Sequence, residues 1–138
     1  MPPFAFRGLD HVVLRIADLK ASLHFYCDVL GCTIDKEQPK IGLYQLRAGA
    51  ALIDLVPLDE PLGKMGGAGP GREGRNLDHF ALQVAPFDEE AIGAHLAGHG
   101  IEIAESGQRY GAGGTGPSIY VRDPDGNIVE LKGPTQCG

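Results

Sequence analysis

The feature that most constrains this chain is that it repeats itself. Leu9-Asp10-His11-Val12-Val13-Leu14-Arg15-Ile16 returns as Leu77-Asp78-His79-Phe80-Ala81-Leu82-Gln83-Val84. A helix-like segment follows each copy. Asp18 is placed to cap the first, with Leu19, Leu23, Tyr26 and Leu30 on one face and Gly31 at the end. Asp88 is placed to cap the second, with Ile92 and Leu96 inward and Gly98 and Gly100 closing it. A short strand comes next, Cys32–Asp35 in one copy and Ile101–Ala104 in the other. Two strands then finish each copy: Ile41–Arg47 with Ala50–Val56, and Pro117–Arg122 with Asn127–Lys132. The last pair turns at Asp123-Pro124-Asp125-Gly126, with proline and glycine where a type I turn prefers them. Both halves read β-α-β-β-β, so the predicted class is α+β. The 138 residues suit one domain, with module one at 7–57, a linker at 58–76 and module two at 77–133.

Strand alternation places the polar residues. Val12, Leu14 and Ile16 point toward the helix, so His11, Val13 and Arg15 face the other way. Phe80, Leu82 and Val84 set His79, Ala81 and Gln83 away from the helix in the same manner. Asp54 and Glu130 occupy equivalent positions late in the closing strands, in Ile-Asp-Leu and Val-Glu-Leu. One histidine and one carboxylate therefore recur at matching places.

Composition narrows the partners. A formal net charge of −6 disfavours the phosphate backbone of nucleic acids. No apolar run approaches the ~20 residues of a membrane span. The opening MPPFAFRGLDHVV lacks the basic-then-apolar order of a secretion signal, so a cytoplasmic location is expected. Cys27, Cys32 and Cys137 follow no ligand spacing and read as free thiols. Glycine, at 21 residues, is about twice its usual ~7% share. One glycine-rich stretch, 106–116, reads as a mobile flap carrying Arg109 and Tyr110 toward a substrate. It lacks the Gly-Lys-Ser/Thr end of a phosphate loop. His95 and His99 lie four apart on the second helix without the glutamate of a His-Glu-x-x-His site, and His24 stands alone on the first. These three read as helix-surface histidines.

Leu-Asp-His-Val-Val-Leu (9–14), Ser22-Leu23-His24-Phe25-Tyr26 leading to Val29-Leu30-Gly31, Leu77-Asp78-His79, and Asp123-Pro124-Asp125-Gly126-Asn127-Ile128-Val129-Glu130-Leu131 together resemble the vicinal oxygen chelate superfamily. That superfamily includes glyoxalase I, extradiol dioxygenases, methylmalonyl-CoA epimerase, and fosfomycin- and bleomycin-resistance proteins. The resemblance implies curved mixed sheets from the two modules set around a central cavity. It places His11, His79 and Glu130 on metal-ligand positions and Asp54 on a fourth, where the shorter side chain departs from the usual Glu. It implies a divalent ion (zinc, nickel, manganese or ferrous iron), a small-molecule substrate with vicinal oxygens, and a homodimer. The implied activity is a glyoxalase-I-like lyase or isomerase step through a metal-stabilised enediolate, with Glu130 and Asp54 as catalytic carboxylates. Arg15, four residues after His11, resembles a glutathione-contacting arginine, although no Asn follows Asp54 as in glyoxalase I. The alternatives are an extradiol-type Fe(II) dioxygenase and a metal-free drug-binding protein.

Overall fold

A computed structural model describes residues 1–135; Cys137 lies outside them. Module one contributes strands β1 (His11–Ile16), β2 (Thr33–Gln38), β3 (Leu43–Ala48) and β4 (Ala51–Pro57). Module two contributes β5 (Phe80–Gln83), β6 (Glu105–Gly111), β7 (Gly114–Arg122) and β8 (Ile128–Lys132). Two four-stranded mixed sheets result, ordered β1-β4-β3-β2 and β5-β8-β7-β6, and they do not close into a barrel. In each, the first strand runs parallel to the last and forms one edge.

Asp18 and Asp88 do cap the helices, accepting the Ala21 and Ala91 amides. Helix α2 (Glu89–Gly98) ends as its glycines suggest, with Gly100 at φ +73°. The first helix differs from expectation. Helix α1 (Leu19–Leu23) widens into a π-helical segment, His24–Val29, and the buried residues are Ser22, Phe25, Tyr26 and Val29. Leu19, Leu23 and Leu30 pack only partly buried at its margin. Ser22, Phe25, Tyr26 and Val29 keep a helical spacing of three and four, so the inward face lies one position from the one the leucines mark.

The glycine-rich stretch 106–116 is also not the flap expected. It forms β6, a tight turn and the start of β7, paired from Glu105↔Tyr120 to Gly111↔Gly114. Ile101–Ala104 is outside the strands. Main-chain pairing asks nothing of side chains, so glycines that read as a loop can lie in a ladder.

The helix-facing sides of both sheets share one core. Leu14, Ile16, Ile53 and Leu55 from the first join Ile119, Val121, Val129 and Leu131 from the second, with Phe25, Tyr26, Val29 and Leu96 from the helices. Polar bonds fix the junction. The turn at Asp123 closes through Gly126 N–H donating to the Asp123 carbonyl, at 3.0 Å. The Asp123 carboxylate accepts the Tyr26 hydroxyl at 2.6 Å, and Asp125 accepts the Ala17 amide at 2.8 Å. Because the helix-facing sides meet, the opposite faces of the two sheets look outward.

Candidate functional site

Those outward faces carry the repeated polar residues. In module one, β1 and β4 pair with Val13↔Asp54, and His11 reaches Asp54 with Nε2 3.8 Å from Oδ2. In module two, β5 and β8 pair with Ala81↔Glu130, and His79 Nε2 lies 3.2 Å from Glu130 Oε1. Both carboxylates are buried, while both histidines are partly open to solvent.

The second nitrogen of each ring is also occupied. His11 Nδ1 lies 2.7 Å from Asp10 Oδ1, and His79 Nδ1 lies 2.7 Å from Asp78 Oδ2. A carboxylate at Nδ1 keeps the proton there and leaves the Nε2 lone pair for a cation. Asp10 and Asp78 were visible in the repeat as Leu-Asp-His, yet only the structure gives them this task. The carboxylates are steadied too. Gln45 Nε2 donates to both Asp54 oxygens at 3.3 Å, and Ser118 Oγ donates to Glu130 Oε2 at 2.6 Å. Neither Gln45 nor Ser118 carries a sequence signal, because each lies on a neighbouring strand and is found only through register.

Charge follows these contacts. The Asp10 carboxylate, then Asp54, holds the His11 imidazolium above its ordinary value. Burial raises the Asp54 carboxyl, against the hydrogen bond from Gln45. The hydrogen bond to His79, then Arg75, lowers Asp78. Burial, then Glu130, raises the Tyr120 phenol, whose ring stands 5.8 Å from that of His79.

The residue types fit a divalent ion: imidazole with carboxylate suits zinc, nickel, manganese or ferrous iron. Two donors at ~2.1 Å from one ion lie about 3.2 Å apart when they subtend ~100°. The His79–Glu130 pair stands at that 3.2 Å separation. The His11–Asp54 pair, at 3.8 Å, is more open. Among the described residues no three His, Cys, Asp or Glu side chains meet as a cation site. One chain thus presents two separate pairs.

The other residues of interest fall elsewhere. Arg15 is committed to the linker. Its Nη2 donates to the Gly67 and Gly63 carbonyls at 2.6 and 2.9 Å, and Nη1 to Ala68 at 2.9 Å. Gly63 has no room for a side chain, since a Cβ there would overlap the Pro57 carbonyl. Arg109 pairs with Glu105 at 3.0 Å and lies over the Tyr120 ring. Tyr110, next along β6, is 85% exposed and points away from Arg109. His24, His95 and His99 gather at the junction of the two helices, with His95 Nε2 2.7 Å from the Val29 carbonyl oxygen.

The model of the Glyoxalase/Bleomycin resistance protein/Dioxygenase superfamily matches residues 8–131. The chain is 32% identical to the virulence protein STM3117 of Salmonella typhimurium, over 89% of this chain and 81% of that protein. The crystal structure of STM3117 superposes with a TM-score of 0.78, covering 96% of this chain and all of the other, at 28% identity. The glutathione transferase FosA of Serratia marcescens is 30% identical over 91% of this chain and 79% of that protein. A catechol-2,3-dioxygenase of Bacillus subtilis is 30% identical over 89% of this chain but only 40% of that protein.

Proposed function

The chain belongs to the Glyoxalase/Bleomycin resistance protein/Dioxygenase superfamily, and from that premise we infer that it is a metal-dependent enzyme of the lyase or isomerase kind acting on a small substrate with adjacent oxygens. The observation that carries this reading is the duplicated histidine–carboxylate pair, each with Nδ1 tied to a neighbouring aspartate. His11, His79 and Glu130 would hold the ion, with Asp54 as a fourth ligand or hydrogen-bonded beside it. A divalent ion there would supply Lewis acidity toward the substrate oxygens. Asp10 and Asp78 keep the imidazoles turned, and Ser118 keeps Glu130 in place. Asp54, held by Gln45 and more distant from its histidine, is placed to take and return a proton.

The two pairs lie apart within a chain, so the site is completed between two protomers. Strands β1 and β5 are sheet edges, with His11 opening β1 and His79 just before β5. Phe4, Phe6 and Leu9, which precede β1 in the chain, and Val13 within it are exposed apolar side chains. Unpaired edges and apolar patches favour covering by a second copy.

Metal titration of chelator-stripped protein tests the reading. About one ion per chain is expected, and stoichiometric metal in a His11→Ala/His79→Ala double variant would overturn it. Mixing separately made His11→Ala and His79→Ala proteins tests the shared site. Random exchange in a two-fold dimer restores about a quarter of the intact sites; no recovery places both histidines within one chain.

One observation favours a second reading. The 3.8 Å gap and the Gln45 bonds leave Asp54 free to stand outside the coordination sphere. His11, His79 and Glu130 alone would form the facial triad of a ferrous dioxygenase. Oxygen uptake with catechols by iron-loaded protein, together with metal affinity unchanged in Asp54→Ala, would move the assignment there.

A further inference from the structure

The closing strands of the two modules keep the same pattern of residue types until two positions past the carboxylate. Ile53-Asp54-Leu55-Val56 in β4 matches Val129-Glu130-Leu131-Lys132 in β8. Two residues beyond the carboxylate, module one has valine and module two has lysine. Both are buried: Val56 is 4% exposed and Lys132 7%. Val129 and Leu131 face the core, so Lys132 shares the face of Glu130.

A buried ammonium needs a partner. Among the described residues, Lys132 Nζ has one hydrogen bond, to the Gly133 carbonyl oxygen at 3.5 Å, and no carboxylate within ion-pair distance. The surroundings are shaped to its stem. A Cβ at Gly111, in the turn of the β6–β7 hairpin, would stand 3.1 Å from Lys132 Cε. Valine at the matching position of module one indicates that the fold accepts an apolar residue there. A charge is therefore kept where packing alone would be served without it, two residues from the proposed metal ligand.

We propose that Lys132 anchors an anionic group of the substrate. The inference rests on reading this face as the substrate site and adds the substrate class: a small molecule with chelating oxygens at one end and a carboxylate, phosphate or phosphonate at the other. Side chains two apart on a strand are rooted ~6–7 Å from each other, which sets the scale of that ligand. The lysine also breaks the symmetry of the repeat, so a ligand binds in one orientation, its anionic end toward module two.

Inorganic phosphate is the probe, titrated calorimetrically into the protein as purified, at fixed ionic strength. Saturable binding to the wild type is expected, at least tenfold weaker in Lys132→Met and unchanged in Lys36→Met, an exposed lysine of β2. Lys132→Val, copying module one, is the second variant and should behave as Lys132→Met does. Both should melt at or above the wild-type temperature, which separates loss of the anchor from loss of the fold. Equal affinity in Lys132→Met or no saturable binding to the wild type would overturn the proposal. Manganese titrations of the same proteins report on the metal reading separately: Lys132→Met should bind manganese as the wild type does. If phosphate binds through Lys132 while manganese binds nowhere, the metal reading falls and the anchor stands.

Discussion

Tyr26→Phe removes one oxygen from the junction that joins the modules. The Tyr26 hydroxyl is fully buried and donates to Asp123 at 2.6 Å. A hydrogen bond to a charged acceptor contributes ~1.5–3 kcal/mol. Asp123 would not be orphaned, because it still accepts from Asn127 N, Asn127 Nδ2 and Asp125 N at 2.8, 2.8 and 2.9 Å. The loss should therefore sit near 2 kcal/mol, or about 6–10 °C in Tm for a domain of this size. Denaturant unfolding and calorimetry of wild type, Tyr26→Phe and Tyr110→Phe would measure it, with the exposed Tyr110 as the neutral control. The dependence on pH is a second check. Burial, then Asp123, pushes the Tyr26 phenol far above its ordinary value of 10.0. Its contribution is complete below pH 10 and is lost as pH rises further, because the unfolded tyrosine ionises and the folded one does not. The penalty of Tyr26→Phe should thus shrink by pH 11. A variant within ~0.5 kcal/mol of wild type at pH 7 would refute the view that this bond fastens module two to module one.

Ser118→Ala removes the donor at 2.6 Å from Glu130 and should weaken metal binding ~10–100-fold, read by competition with a chelating dye. Arg15→Met frees the linker carbonyls; trypsin cleavage after Lys64 should speed at least tenfold while the core melts nearly unchanged. Burial, then Cys27, pushes the Cys32 thiol up to about 11. At pH 8 its thiolate is about a hundredfold scarcer than at an ordinary pKa near 9, so alkylation resolved by peptide mass should be correspondingly slow in the folded state and fast in urea.

The repeat, the α+β class and the two caps were legible in the sequence because they rest on local rules. Strand alternation sorted His11, His79, Asp54 and Glu130 onto the outward faces, since a period of two survives any packing. The first helix was misread by one position, because two neighbouring faces are both apolar and packing against the sheets, not local sequence, turns Ser22, Phe25 and Val29 inward in place of Leu19, Leu23 and Leu30. Residues 106–116 looked mobile because glycine content reports chain freedom, whereas pairing with β7 is a long-range main-chain event. Arg15 was read through its spacing from His11, but the linker it holds is distant in sequence. Gln45 and Ser118 gained meaning only from register, and Lys132 only from burial. The chain order fixed which residue types recur; the tertiary structure decided which neighbours hold them and that the two pairs stand apart. That separation follows from a core built on the helix-facing sides of both sheets, which turns the polar faces outward.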